Sequence, residues 1–160
     1  MRVPWRVWTA VFGLAFLHFL LHLGLGLDDV APDLLTAALL LAVREVATGT
    51  AAGIGFVFGL LLDAFSFRAF GANTVAMTLL GAAGARTRDW FMGTSVLFMT
   101  AYFFLGKWVK DLLHWVAVGE GVREPFVRSI MIDSSLDAVY AAAVGVIVVA
   151  IMGAKSESLR

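Results

Sequence analysis

The segment GFVFGLLLDAFSFRAFG, residues 55–71, holds the turn on which the fold depends. An apolar run ends on a single acid, Asp63, and the turn behind it carries Phe65, Phe67 and Phe70 around Ser66 and Arg68. Extended back to Thr48, the run reads TGTAAGIGFVFGLLLD. Gly49 and Gly53 are four apart, and Ala51, Gly55, Gly59 and Asp63 form a second such series. Residues four apart share a helix face. The spacing therefore predicts a helix with two small-residue faces, packed tightly against neighbours on both sides as helices in an apolar phase are. Asp63 closes the second face. It either caps the next element or pairs with Arg68, or it presents an acid at a membrane boundary, where acids are costly and often functional.

The rest of the chain supports a membrane setting. Of 160 residues, 61% are hydrophobic and 15% charged, with a mean hydropathy of +0.89. Soluble domains average about 45–50% apolar and about 25% charged residues. The length suits one domain spanning residues 1–160. Net charge is zero, which argues against nucleic acid as a partner, because neutralising phosphates needs a cationic surface. Without cysteine there is no disulfide, thiolate metal site or cysteine nucleophile.

Six apolar segments follow one another. The first runs from about Trp5 to Leu27, with Arg2 and Arg6 at its start and Trp5 and Trp8 as interface anchors. It is longer than a signal-peptide core and lacks a small-x-small cleavage site, so we read it as a retained membrane helix. Asp28, Asp29, Pro32 and Asp33 close it. The others are Leu34–Val43, Val46–Leu62, Asn73–Ala85, about Trp90 to Val118, and a sixth that starts after Pro125 or at Ser134 and ends at Gly153. The second and fourth are too short to cross a ~30 Å hydrocarbon core alone. A compact all-α bundle of six transmembrane helices is therefore expected. A five-span alternative, with segments two and three fused around Arg44-Glu45, stays open, although a charged pair at the midplane is expensive.

Orientation follows from Lys and Arg. Seven of the twelve fall at the termini, in the two-three link and in the four-five link, and five on the other side. Both termini are predicted to be cytoplasmic, with Asp63–Gly71 facing outward.

The fifth segment changes character at KWVKDLLHWV, residues 107–116. Lys107, Lys110, Asp111 and His114 share one helical face, and Trp108, Leu112 and Trp115 another. At about 28 residues, roughly 42 Å, this helix should outrun the hydrocarbon and end near Gly119. The charged face suits lysines set among lipid headgroups, or a ridge that docks another protein's membrane-proximal segment. In the sixth segment, SSLD suggests a cap from Ser134 with Asp137 in the first turn. His18 and His22 share a face, but with no second acidic ligand nearby they read as a hydrogen-bonded or interfacial pair rather than a metal or haem site. No catalytic motif is present, and no cofactor is called for.

GFVFGLLLDAFSFRAFGANTVAMTLLG resembles the MreD family of rod shape-determining proteins, whose G-F-x-x-G-L-x-x-D run is matched by Gly55, Phe56, Gly59, Leu60, Leu61, Asp63 and then Gly71. The length and the charges between the fourth and fifth segments agree with that resemblance. It implies a non-enzymatic, multi-pass protein of the bacterial cytoplasmic (inner) membrane that supports peptidoglycan synthesis and rod shape. It further implies a fold like the substrate-binding subunits of energy-coupling-factor transporters. The implied partners are MreC directly, RodA with its penicillin-binding partner in a larger complex, MreB filaments indirectly, and membrane lipids. The expected docking site is an outward-facing hollow floored by Asp63 and lined by Phe65, Phe67, Phe70, Trp108 and Trp115, with Arg68, Lys110, Asp111 and His114 beside them. A vitamin-type transporter subunit is the alternative. Those proteins carry an Ala-x-x-x-Ala pattern in their first helix, whereas Ala10 and Ala15 here are five apart.

Overall fold

A computed structural model describes residues 5–24, 32–66, 69–88 and 95–157, with side chains described as far as Met152. The described residues form six helices and no strand: α1 Trp5–Phe19, α2 Leu34–Val43, α3 Thr48–Asp63, α4 Ala72–Thr87, α5 Val96–Ala117 and α6 Ser134–Glu157. A π-helical turn, Leu20–Gly24, extends α1, and a π-helical segment, Val127–Asp133, leads into α6. Two helical stretches, Trp5–Gly24 and Val127–Met152, are long and apolar enough to cross a membrane.

α2 is the axis of the molecule. Every residue from Leu34 to Val43 is buried, and α1, α3, α4, α5 and α6 all pack on it. A helix apolar on all sides has no face to offer water, so it belongs at a centre. Its start is set by Asp33, whose carboxylate accepts from the Thr36 amide at 3.0 Å and the Thr36 hydroxyl at 2.7 Å. That contact is an N-cap bond at the expected three-residue reach. Arg44 and Glu45 then form a turn before α3, so α2 and α3 are separate helices and are not fused around that pair.

α3 and α4 make an antiparallel pair in backbone contact. A Cβ added at Gly55 would run into the Met77 carbonyl, one at Gly59 into Asn73 and Thr74, and one at Gly81 into Ala51. The second small-residue face behaves otherwise. Gly49 and Gly53 are exposed and have open space around them, so α3 is gripped on one side rather than two. On the gripped side α4 has its own glycine, Gly81, facing Ala51; on the other, Gly53 only borders an open recess shared with Trp8, Val11 and Phe12 of α1.

Two readings of helix ends differ from expectation, and a third lies outside the described residues. α5 starts at Val96 rather than near Trp90, because Ser95 is extended and its hydroxyl accepts from the Phe98 amide at 3.3 Å. Residues 25–27, predicted to end the first helix, lie outside the described residues. Ser134 does not cap α6: the chain is already helical from Val127, and the Ser134 hydroxyl donates to the Ser129 carbonyl at 2.9 Å, occupying an acceptor in the wider π turn. Gly71, with φ +94°, precedes α4 in the left-handed region. Any other residue there costs about 1–2 kcal/mol. Gly71→Ala is accordingly expected to lower unfolding stability by that amount in detergent, while Gly13→Ala, on an open face of α1, does not lower it and adds up to about 1 kcal/mol through helix propensity.

Candidate functional site: a polar hollow above a buried charge cluster

The charged face of α5 turns inward. Lys107 and Lys110 are only 3% and 8% exposed. Lys107 bonds Asp111 at 2.6 Å and lies 3.7 Å from Asp33 and 3.8 Å from Asp137. Lys110 lies 3.4 Å from Asp33 and 3.5 Å from Asp111. Burying a lone charge is prohibitive, whereas burying it among carboxylates is tolerable. Here the carboxylates come from three elements: the approach to α2, α5 itself and α6. The lysines therefore do not reach out among headgroups. They tie α5 to α2 and α6.

Above this cluster opens a hollow of about 390 Å³. Asp111, His114 and Trp115 of α5 form one wall, Asp133 and Asp137 another, and Ser66 and Ala69 of the α3–α4 turn a third. The α5–α6 connection is held over it by specific bonds. The Trp115 indole donates to the Glu124 carbonyl at 2.9 Å, and its ring meets Phe126 edge-on at 5.1 Å. The Arg123 guanidinium lies 4.4 Å over the Trp115 ring and donates to the Val116 and Val118 carbonyls at 3.0 and 2.9 Å. Those carbonyls end α5, where free acceptors attract a cation. The rim is thus built as one piece with the helix end.

The structure brings some of the predicted site residues to this hollow and leaves others away. Asp111, His114 and Trp115 line it. Trp108 instead donates its indole N–H to the Ile130 carbonyl at 3.2 Å, fastening α5 to the π segment. Phe65 stacks near Phe19 with ring centroids 5.9 Å apart, and Phe70 is 72% exposed. Phe67 and Arg68 lie outside the described residues.

Asp63 does not form the floor. It is 1% exposed, and its carboxylate accepts from the Asn73 amide at 3.1 Å, the Thr74 amide at 2.8 Å and the Thr74 hydroxyl at 2.6 Å. Those amides open α4, so Asp63 reaches across the turn to cap the next helix. The reason is geometric: Gly59 brings α3 onto Asn73 and Thr74, and the acid one turn later lands beside their amides. Asp33 and Arg123 are the residues that sequence reading missed. For Asp33 the signal was legible in the Asp-x-x-Thr spacing before an apolar helix; for Arg123 no local signal existed.

The model of the family described as rod shape-determining protein MreD matches residues 1–152. The chain belongs to the MreD family. As an MreD it is a membrane component of the apparatus that determines rod shape. No curated protein and no solved structure matches it. In this MreD the family-type glycines Gly55 and Gly59 make the α3–α4 contact, and Asp63 completes it.

Proposed function

We propose that this MreD is a non-enzymatic scaffold of the bacterial cell-elongation complex that binds MreC directly through the hollow at the end of α5, and so supports peptidoglycan synthesis. All six helices cross the cytoplasmic membrane in this reading, with both termini cytoplasmic and the hollow facing the periplasm. RodA and its penicillin-binding partner join the same assembly, and MreB filaments connect indirectly. The observation that carries the reading is the hollow itself: a recess walled by three elements, with an indole and several carboxylates presented on a braced rim. Rigid aromatic and polar groups in a recess suit a protein segment, because little rotamer freedom is lost on docking.

Two features support the membrane arrangement. Arg6, Arg44, Arg86 and Arg88 belong to the ends of helices opposite the hollow, which fits the Lys and Arg bias of cytoplasmic ends. α2, only ten residues long, is sheathed by five helices, so its short length exposes no backbone end to lipid.

Ala69→Trp fills the hollow without removing any bond described above. It is expected to reduce co-purification of MreC about tenfold, as loss of an interface hot spot does, while Ile147→Trp on the exposed face of α6 does not. Undiminished recovery of MreC with a well-expressed Ala69→Trp protein sinks the hollow as the docking site. Depleting the protein in its native bacterium should turn rods into spheres; a nutrient requirement instead would indicate uptake.

A further inference from the structure

Between α4 and α5 lies an apolar groove of about 260 Å³ that runs from Val109 towards Thr87, at the end of α4 away from the hollow. Leu80 and Gly84 of α4 form one side, and Leu105, Gly106 and Val109 of α5 the other. Two of these five positions have no side chain, and through that gap the groove reaches Leu40 of the buried helix α2. A Cβ at Gly106 would run into the Leu40 side chain, so the floor is already closed and the space lies outside it. Thr87 and Tyr102 bound the groove where α4 ends.

Arg44 stands at that boundary. It is four residues beyond Leu40, on the same side of α2. Its guanidinium lies 5.8 Å from the centroid of the Tyr102 ring, and Nη1 donates to the Met99 thioether at 2.8 Å. A thioether is a weak acceptor, whereas a guanidinium carries five donors in a fixed fork suited to phosphate. Among the described residues no carboxylate pairs with Arg44; the ion pairs all gather around Lys107 and Lys110. Arg86, one residue before Thr87, adds a second exposed cation at the end of α4. The result is an apolar furrow whose charged end carries an arginine that no described carboxylate pairs. Nothing comparable serves the hollow, where Arg123 is spent on carbonyls.

We propose that this groove is a binding site for an anionic phospholipid, one acyl chain lying between α4 and α5 and the phosphate held by Arg44. Charge complementarity selects the occupant. A membrane helix from another protein would cover the groove's apolar length but would leave the guanidinium unmatched, and a zwitterionic lipid offers a phosphate already neutralised by its own amine.

The test uses the full chain purified in detergent, with dioleoyl phosphatidylglycerol and dioleoyl phosphatidylcholine as probes, read by native mass spectrometry and thermal unfolding. The wild type is expected to retain phosphatidylglycerol at least about tenfold better than phosphatidylcholine, in line with a charge-assisted contact, and to unfold at a higher temperature with it. Arg44→Gln should bring the two lipids level. Ala83→Trp, an exposed α4 position lining the groove, should lower retention of phosphatidylglycerol with every charge in place, and it serves if Arg44→Gln does not fold. Glycerol 1-phosphate, which has no chains, should leave the unfolding temperature unchanged. Equal retention of both lipids by the wild type overturns the proposal. So does phosphatidylglycerol retention that neither variant lowers, or a shift with glycerol 1-phosphate equal to that with the lipid.

Discussion

Gly59→Ala should destabilise the isolated protein by about 3 kcal/mol, the upper end of what overpacking costs. The added methyl meets Thr74 Cα and the Asn73 carbonyl, which are backbone atoms of α4 and cannot rotate aside as a side chain would. To admit it, α3 and α4 must separate along their whole contact, which also loosens Gly55 on Met77 and Gly81 on Ala51. The same substitution at Gly53 has open space around it and replaces a poor helix former by the best, a change worth up to about 1 kcal/mol in favour of the helix. Thermal unfolding of the two variants in one detergent checks both. The opposed signs matter, because a general intolerance of glycine replacement in α3 would lower both midpoints alike. Loss of Gly59 should also weaken the hollow indirectly, since the α3–α4 turn supplies Ser66 and Ala69 to its wall.

Asp63→Ala is the second large effect, expected at about 3 kcal/mol in the absence of any partner. The carboxylate serves two amides and a hydroxyl, and removing it strands buried donors at the start of α4. Losing an N-cap costs about 0.5–2 kcal/mol, and hydrogen bonds to a charged acceptor run at about 1.5–3 kcal/mol each, with incomplete additivity. Asp63→Asn retains an acceptor of similar reach and should fall between wild type and alanine. Unfolding measured on purified protein without MreC separates this role from docking. An Asp63→Ala protein as stable as the wild type, yet unable to recover MreC, would return the acid to the partner interface.

Much of the architecture was legible because it depends on short-range patterns. The ten-residue span Leu34–Val43 reads as a helix by its unbroken apolar run between Asp33 and Arg44, and it forms with those bounds. The four-residue spacing of Ala51, Gly55, Gly59 and Asp63 places them on one face, and that face is the buried one. Their side chains, or the lack of them, express a local helical period that no distant contact can change. The charged face of α5 was equally legible as a face. Its direction was not, because a row of lysines looks the same whether it meets headgroups or aspartates brought from elsewhere in the chain, here Asp33 and Asp137.

The sequence by itself determined a helical chain of membrane type, its six apolar segments, the glycine face of α3 and, through the motif that Asp63 ends, the MreD family. Tertiary structure alone decided which of the two small-residue faces is used, that Lys107 and Lys110 are buried among Asp33, Asp111 and Asp137, and that Asp63 turns to the amides of α4 and away from the hollow. The division has a single physical cause. Helical period and hydrophobicity are properties of neighbours in the chain, whereas the partner of a charge or of a missing side chain is whatever the fold carries to within a few ångströms. For Asp63 that partner lies ten residues on, and for Lys107 it includes Asp33, the residue that caps the start of the buried helix α2.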